Sequence, residues 1–267
     1  MRVGIAQFRA SKVKSENLEK IIDFIRAASR KGVDLIVFPE YSMVYPIPKD
    51  SPASIAESID GPFISRITDE ARRNRVSVVV NFCEVCSENS KKVYDTSVLI
   101  SSEGKVLLTY RKTHLFDAFK FKESALIEPG KEITGPVRLD DFNIGLLICY
   151  DIRFPEAARV LALRGCNLLC VSSAWFSGVL KEEHLLTTLR SRAIENGFYV
   201  VMANQIGPTF CGRSSIIDPF GVKLVDAGDE ECMVYADLGI ERVEKVRSLL
   251  PLLRQRRPEL YLEVTRS

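Results

Sequence analysis

The chain has 267 residues, 46% of them hydrophobic, which is enough to bury a substantial core in one large domain or two fused halves. Lys and Arg number 37 against 35 Asp and Glu, so the net charge of +2 excludes a broad field for nucleic acid or an acidic membrane and points to a small neutral or weakly charged ligand. No apolar run approaches the roughly 18 residues of a spanning helix, and Met1-Arg2 followed by Val3-Gly4-Ile5-Ala6 lacks the pattern of a signal peptide.

Val3 to Gln7 reads as a buried strand, followed by a helix over Ser15 to Lys31 whose Leu18, Ile21, Ile22, Ile25 and Ala28 recur at helical spacing. Ser15 is the expected N-cap and Gly32 the stop. Asp34 to Phe38 is apolar and β-branched, the signature of a strand covered on both faces; Pro39 ends it and Glu40 follows. Pro62 to Arg75 is a second helix and Val76 to Phe82 a further strand. Thr96 to Ile100 and Val106 to Tyr110 flank the hairpin composition Ser101-Ser102-Glu103-Gly104, and Lys112 lies just past the second of them.

Asn143 to Ile148 is a strand, Pro155 to Arg164 a helix and Leu168 to Val171 a strand, with Cys149 at the first strand-to-helix junction. Glu182 to Asn196 is a helix burying Leu185, Leu186, Leu189 and Ala193. Tyr199 to Ala203, Ser214 to Ile217 and Val222 to Val225 are strands, the last two joined by an Asp218-Pro219-Phe220-Gly221 turn. This order predicts one α/β domain over residues 1–238, with partly antiparallel sheets and helices outside. Residues 239–267 are expected to form a charged tail that packs on the body or on a partner subunit.

Glu40, Lys112 and Cys149 each fall within two residues of a predicted strand end, where α/β sheets gather ligands. Their surroundings are Val37-Phe38-Pro39-Glu40, Tyr110-Arg111-Lys112-Thr113-His114-Leu115-Phe116-Asp117 and Ile148-Cys149-Tyr150-Asp151-Ile152-Arg153-Phe154-Pro155-Glu156. Together with Ser173-Ala174-Trp175-Phe176, Arg192-Ala193-Ile194-Glu195-Asn196 and Gly212-Arg213-Ser214, these runs resemble the nitrilase superfamily in order from Val3 to about Leu238. The resemblance implies a four-layer α-β-β-α sandwich and assembly into a homodimer or larger homo-oligomer. It further implies a Glu40, Lys112, Cys149 triad and a second site glutamate at Glu123, chosen over Glu128 and Glu132. The nucleophile string looks most like the branch of ω-amidases and deaminated-glutathione amidases.

The residue types suit that chemistry. An amide is a poor electrophile, so a thiol attack needs a base, here Glu40, and positive donors at the carbonyl oxygen, here Lys112 and the Tyr150 N–H. The nitrogen leaves as ammonia and water hydrolyses the thioester, with no metal or organic cofactor required. An N-carbamoyl amine hydrolase is the nearer alternative; a nitrilase or a silent binding protein is a more distant one. Arg153 can bind a substrate carboxylate or pair with Asp151 or Glu156, and Trp175 and Phe176 can wall the pocket or fill core. A Cys-His hydrolase would need His114 or His184 beside Cys149, and for His114 a structural role near the lysine is preferred. Cys83 and Cys86 have zinc or redox spacing but no second ligand pair, so they are read as plain thiols. Seven cysteines without a small-scaffold pattern are expected to stay reduced, and the chain is expected to be cytoplasmic.

Overall fold

A computed structural model describes residues 1–261. Two six-stranded sheets stack face to face. The first contains β1 (Arg2–Gln7), β2 (Leu35–Val37), β3 (Ser77–Val85), β4 (Val93–Ile100), β5 (Val106–Arg111) and β12 (Cys232–Asp237), in the spatial order β12-β1-β2-β3-β4-β5. The second contains β6 (Val137–Leu139), β7 (Phe142–Ile148), β8 (Leu168–Ser173), β9 (Tyr199–Asn204), β10 (Ser215–Ile217) and β11 (Lys223–Asp226), in the order β11-β10-β9-β8-β7-β6. Each sheet has three central parallel strands with antiparallel strands on both sides, so the fold repeats: β1, β2 and β3 correspond to β7, β8 and β9.

Helices α1 (Lys14–Arg30) and α2 (Pro62–Asn74) cover the outer face of the first sheet, and α3 (Pro155–Leu163) and α4 (Lys181–Asn196) that of the second. Strand periodicity explains why the apolar runs are continuous. Val3, Ile5, Leu35 and Val37 point between the sheets, whereas Ala6, Ile36 and Phe38 meet the helices, so both faces are dry. The arrangement is the four-layer α-β-β-α sandwich expected from the sequence.

Several boundaries differ from the sequence reading. The first helix begins at Lys14 with Val13 at its cap, so Ser15 lies inside it; Asn17, bonded to Ser11 and to the Met43 carbonyl, ties down the approach instead. Strand β4 starts at Val93, three residues before the predicted start, which moves Asp95 from a loop into the sheet. Strands β6 and β12 add to the sequence reading: β6 has only three residues, and β12 is a partly exposed edge strand carrying the apolar run Cys232-Met233-Val234-Tyr235-Ala236. Beyond it, α5 (Ile240–Leu249) buries Val243 and Val246 against the second half, while Leu249, Leu250 and Leu252 are exposed. Of the 239–267 segment, 262–267 lie outside the described residues.

Candidate active site

Glu40, Lys112 and Cys149 leave β2, β5 and β7, and the stacking of the sheets brings those exits together at one cleft. Lys112 is fixed first by its backbone: its N–H donates to the Asp95 carbonyl at 2.9 Å, and its carbonyl accepts the Gly130 N–H at 2.7 Å. Glycine is needed at 130, because a Cβ there would come within 2.3 Å of the Arg111 carbonyl oxygen.

The Lys112 ammonium then donates to Glu40 Oε1 and to Glu123 Oε1, both at 2.7 Å. All three side chains are at most 2% exposed. Glu40 Oε2 accepts the Ala174 N–H at 2.7 Å, and Gln205 Nε2 donates to the Glu40 carbonyl at 2.8 Å. Glu123 Oε1 also accepts the Tyr41 hydroxyl at 2.6 Å, and its Oε2 accepts the Phe116 N–H at 2.6 Å. Glu123 thus lines the cleft beside Lys112. Glu128 instead pairs with Lys92 at the surface.

These contacts set the protonation behaviour. Burial raises the Glu40 pKa above the ordinary carboxylate range against the opposing pull of Lys112. Burial alone would lower Lys112, but Glu123 and Glu40 outweigh it and hold the ammonium well above its usual value. Glu40, Asp95 and Glu123 bring carboxylate oxygens within 4.8 Å of one another, the sole such cluster among the described residues. The cation at their centre is the lysine itself.

Cys149 opens the one-turn 3-10 segment Cys149–Arg153 and adopts φ +40°, an uncommon conformation for a residue with a side chain. Asp151, fully buried, holds this turn: its Oδ2 accepts the Ile148 N–H at 3.1 Å and the Tyr110 hydroxyl at 2.8 Å. Burial and then the Glu40 charge push the Cys149 thiol well above the ordinary thiol range, with Lys112 acting the other way. The resting sulfur is therefore a thiol. Tyr150, whose N–H lies in the first turn where amides lack intrahelical acceptors, also lines the cleft.

His114 is not placed as a base for Cys149. Its Nδ1 lies 2.8 Å from Asp151 Oδ1 and its ring stacks on Phe154 at 3.8 Å. Cys83 is buried within β3, and Cys86 is buried just beyond it.

Arg153 does not pair with Asp151 or Glu156; its guanidinium lies over the Trp175 ring at 4.1 Å and faces the cleft. Trp175 is 4% exposed and Phe176 half-buried; both line the wall, and Phe176 packs against Phe116, Phe121 and Phe210. Tyr45, from the proline-rich loop after Glu40, stacks on Tyr41 and completes the wall. Lys181, at the start of α4, is a lining residue absent from the sequence reading, with its ammonium 3.6 Å from the centre of the Phe119 ring. Neither Arg153 nor Lys181 forms an ion pair among the described residues, and burial lowers the pKa of both.

Comparisons with known proteins agree with this architecture. Residues 2–248 match the family described as Carbon-nitrogen hydrolase. A deaminated glutathione amidase of Escherichia coli O157:H7 is 33% identical over 259 residues, covering 96% of this chain and 97% of that protein. The omega-amidase NIT2 of Homo sapiens is 31% identical over 275 residues, covering 97% and 96%. Among solved structures, a mutant of the Nesterenkonia AN1 amidase from the nitrilase superfamily superposes with a TM-score of 0.86 at 28% identity, covering 98% of this chain and 96% of that one. The C. elegans NitFhit protein gives a TM-score of 0.90 at 28% identity over 97% of this chain, which spans 66% of that longer protein. No helix among the described residues is long and apolar enough to cross a membrane.

Proposed function

The chain belongs to the carbon–nitrogen hydrolase family and is an amidase-type member of it, and from that premise we propose that it hydrolyses a small carboxamide bearing a carboxylate, through a thioester on Cys149. One observation carries the reading: Cys149 lines the same cleft as a buried Lys112 and Glu40 whose charged atoms are 2.7 Å apart.

The substrate carbonyl oxygen points at the Lys112 ammonium and the Tyr150 N–H, which oppose the charge that develops on it. Glu40 removes the thiol proton as sulfur attacks the carbonyl carbon, because a protonated thiol is a weak nucleophile. The same carboxyl returns that proton to the departing nitrogen, and ammonia leaves. Glu40 next takes a proton from water, whose oxygen attacks the thioester and releases the acid and the free thiol. Glu123 holds Lys112 on the oxyanion side. Since Glu40 and Glu123 share that ammonium, its charge stays in place throughout.

Arg153 and Lys181 give the cleft two cations without carboxylate partners, which suits a substrate carboxylate at the far end from the amide. This agrees with the similarity to an omega-amidase and a deaminated glutathione amidase. Residues 1–238 form the hydrolase domain in this reading, and the 239–267 segment, with Leu249, Leu250 and Leu252 exposed, packs partly on the body and partly on a second copy in a homo-oligomer.

The test is a panel of dicarboxylic acid monoamides, N-carbamoyl amines and simple nitriles, scored by ammonia release and by mass analysis of Cys149. Monoamides should yield acid, ammonia and an acyl adduct on Cys149. Turnover confined to carbamoyl compounds or nitriles would replace the substrate class, and turnover with no dependence on Cys149 would remove the mechanism.

A further inference from the structure

A fourth ionisable group sits in the Glu40, Lys112, Glu123 cluster with no task in this mechanism. Asp95 lies on β4 opposite Cys83 of β3 and is 1% exposed. Its Oδ1 accepts Asn81 Nδ2 at 2.5 Å. Its Oδ2 has no hydrogen-bond donor among the described residues and stands 3.7 Å from Lys112 Nζ.

Both oxygens of Glu40 and both of Glu123 accept hydrogen bonds, so each is solvated by protein as an anion. One ammonium balances one of them. A third anion within 4.8 Å would leave two uncompensated negative charges in a dry site, one of them on an oxygen without a donor. Three carboxylates this close do not all ionise, and the group with the fewest donors keeps the proton. That group is Asp95. Asn81 already occupies Oδ1, which leaves Oδ2 to carry hydrogen toward the neighbouring carboxylate.

The titratable groups around Asp95 are Glu40, Glu123, Lys112, the Tyr41 phenol and the Cys83 thiol. Burial and the Glu40 charge raise the Asp95 pKa well above the carboxylate range, with Lys112 opposing. Burial pushes Tyr41 and Cys83 up as well, so both stay neutral.

We propose that Asp95 is a neutral carboxylic acid that donates its Oδ2–H to Glu40, a positioning residue that keeps a buried base ionised at neutral pH. The proposal rests on Glu40 being the base. The donated hydrogen bond stabilises the Glu40 anion against its burial, so the base is ready before a thiol proton has to be taken.

Profiles of kcat/KM against pH on a dicarboxylic acid monoamide test the idea in wild type, Asp95→Ala and Asp95→Asn. Without the donor, Asp95→Ala should move the acid limb to higher pH by about one unit, a roughly tenfold loss on that limb. Asp95→Asn keeps a carbonyl for Asn81 and a neutral donor for Glu40, and should restore the limb. Infrared spectra should contain a protonated-carboxyl carbonyl band in wild type that both variants lose. An unmoved limb in Asp95→Ala, no rescue by Asp95→Asn, or no band lost on substitution would each overturn the proposal. If the alanine variant fails to fold, the asparagine profile and the infrared band still decide. A failure of the Glu40 assignment would appear separately, as a wild-type profile without an acid limb, while the band continued to report the Asp95 proton.

Discussion

The carboxylate of Asp151 accepts the backbone N–H of His114 at 2.9 Å, and by that bond it joins the segment after Lys112 to the turn that carries Cys149. The same side chain holds the Tyr110 hydroxyl and the Ile148 N–H. It is a brace between two of the three strand exits, buried and outside the reacting cleft.

Asp151→Ala should therefore act through structure. It strands buried donors at Tyr110, His114 and Ile148, a loss of about 3–5 kcal/mol in unfolding free energy, measurable by urea denaturation. The folded fraction should also lose turnover by more than about tenfold, since a small misplacement of reacting groups is costly. A stable variant with full turnover would show that the two exits do not need this brace.

Cys149→Ala removes the sulfur from a half-buried position and should abolish ammonia release while leaving the unfolding transition within about 1 kcal/mol of wild type. Lys112→Met should do more. It leaves Glu40 and Glu123 facing each other without their shared ammonium, which costs about 3–5 kcal/mol of stability, and it removes an oxyanion donor worth about 10²–10³ in kcat. Equal stability of the two variants would argue against the buried charge balance.

The direction of the pKa shifts gives the pH dependence. Glu40 must be ionised to act as base, and its pKa is raised by burial, so kcat/KM should climb with pH across a limb above the ordinary glutamate value of 4.5. The Cys149 thiol must carry the proton that Glu40 takes, and its pKa is raised above 9.0, so no fall in activity should follow from thiol ionisation up to that pH. Alkylation of Cys149 by iodoacetamide, followed by mass spectrometry, should likewise rise along the Glu40 limb, since the base takes the thiol proton as sulfur attacks. A thiolate already formed at neutral pH would contradict this.

Arg153→Met and Lys181→Met should each raise KM for carboxylate-bearing amides by about 10–100-fold, the worth of one hydrogen bond to a charged group. Neutral amides of similar size should change by less than about threefold, because only the cation has been lost. Steady-state kinetics on matched pairs of substrates separates the two cases. Equal losses on both kinds of substrate would make these residues wall packing.

Much of this site was legible from the chain. Continuous apolar strands announce where they stop, and Glu40, Lys112 and Cys149 follow three of those stops. Glu123 and the wall residues Trp175 and Phe176 came from the resemblance and from position after a strand, and they line the cleft. Asp95 escaped because β4 was begun at Thr96, leaving a carboxylate in a supposed loop; a charged residue flanked by Val93-Tyr94 and Thr96-Ser97-Val98 was the signal that could have found it. Lys181 escaped for another reason. It is one of many lysines at a helix start, and only the packing of α4 turns it toward the cleft. The Arg153 contact with Trp175 likewise depends on two loops meeting, which no local pattern records.

The edge position of β12 has a bearing on how the protein folds. It hydrogen-bonds along the whole of β1, from Arg2 opposite Asp237 to Gln7 opposite Cys232, and Gln7 in turn accepts the Ser214 N–H and donates to the carbonyls of Gly228 and Glu230. Strand β1 thus keeps an open flank until β12, far along the chain, has paired with it. A chain cut before Cys232 keeps Glu40, Lys112 and Cys149 but has an uncovered sheet margin, so the order of the cleft depends on a strand remote from all three.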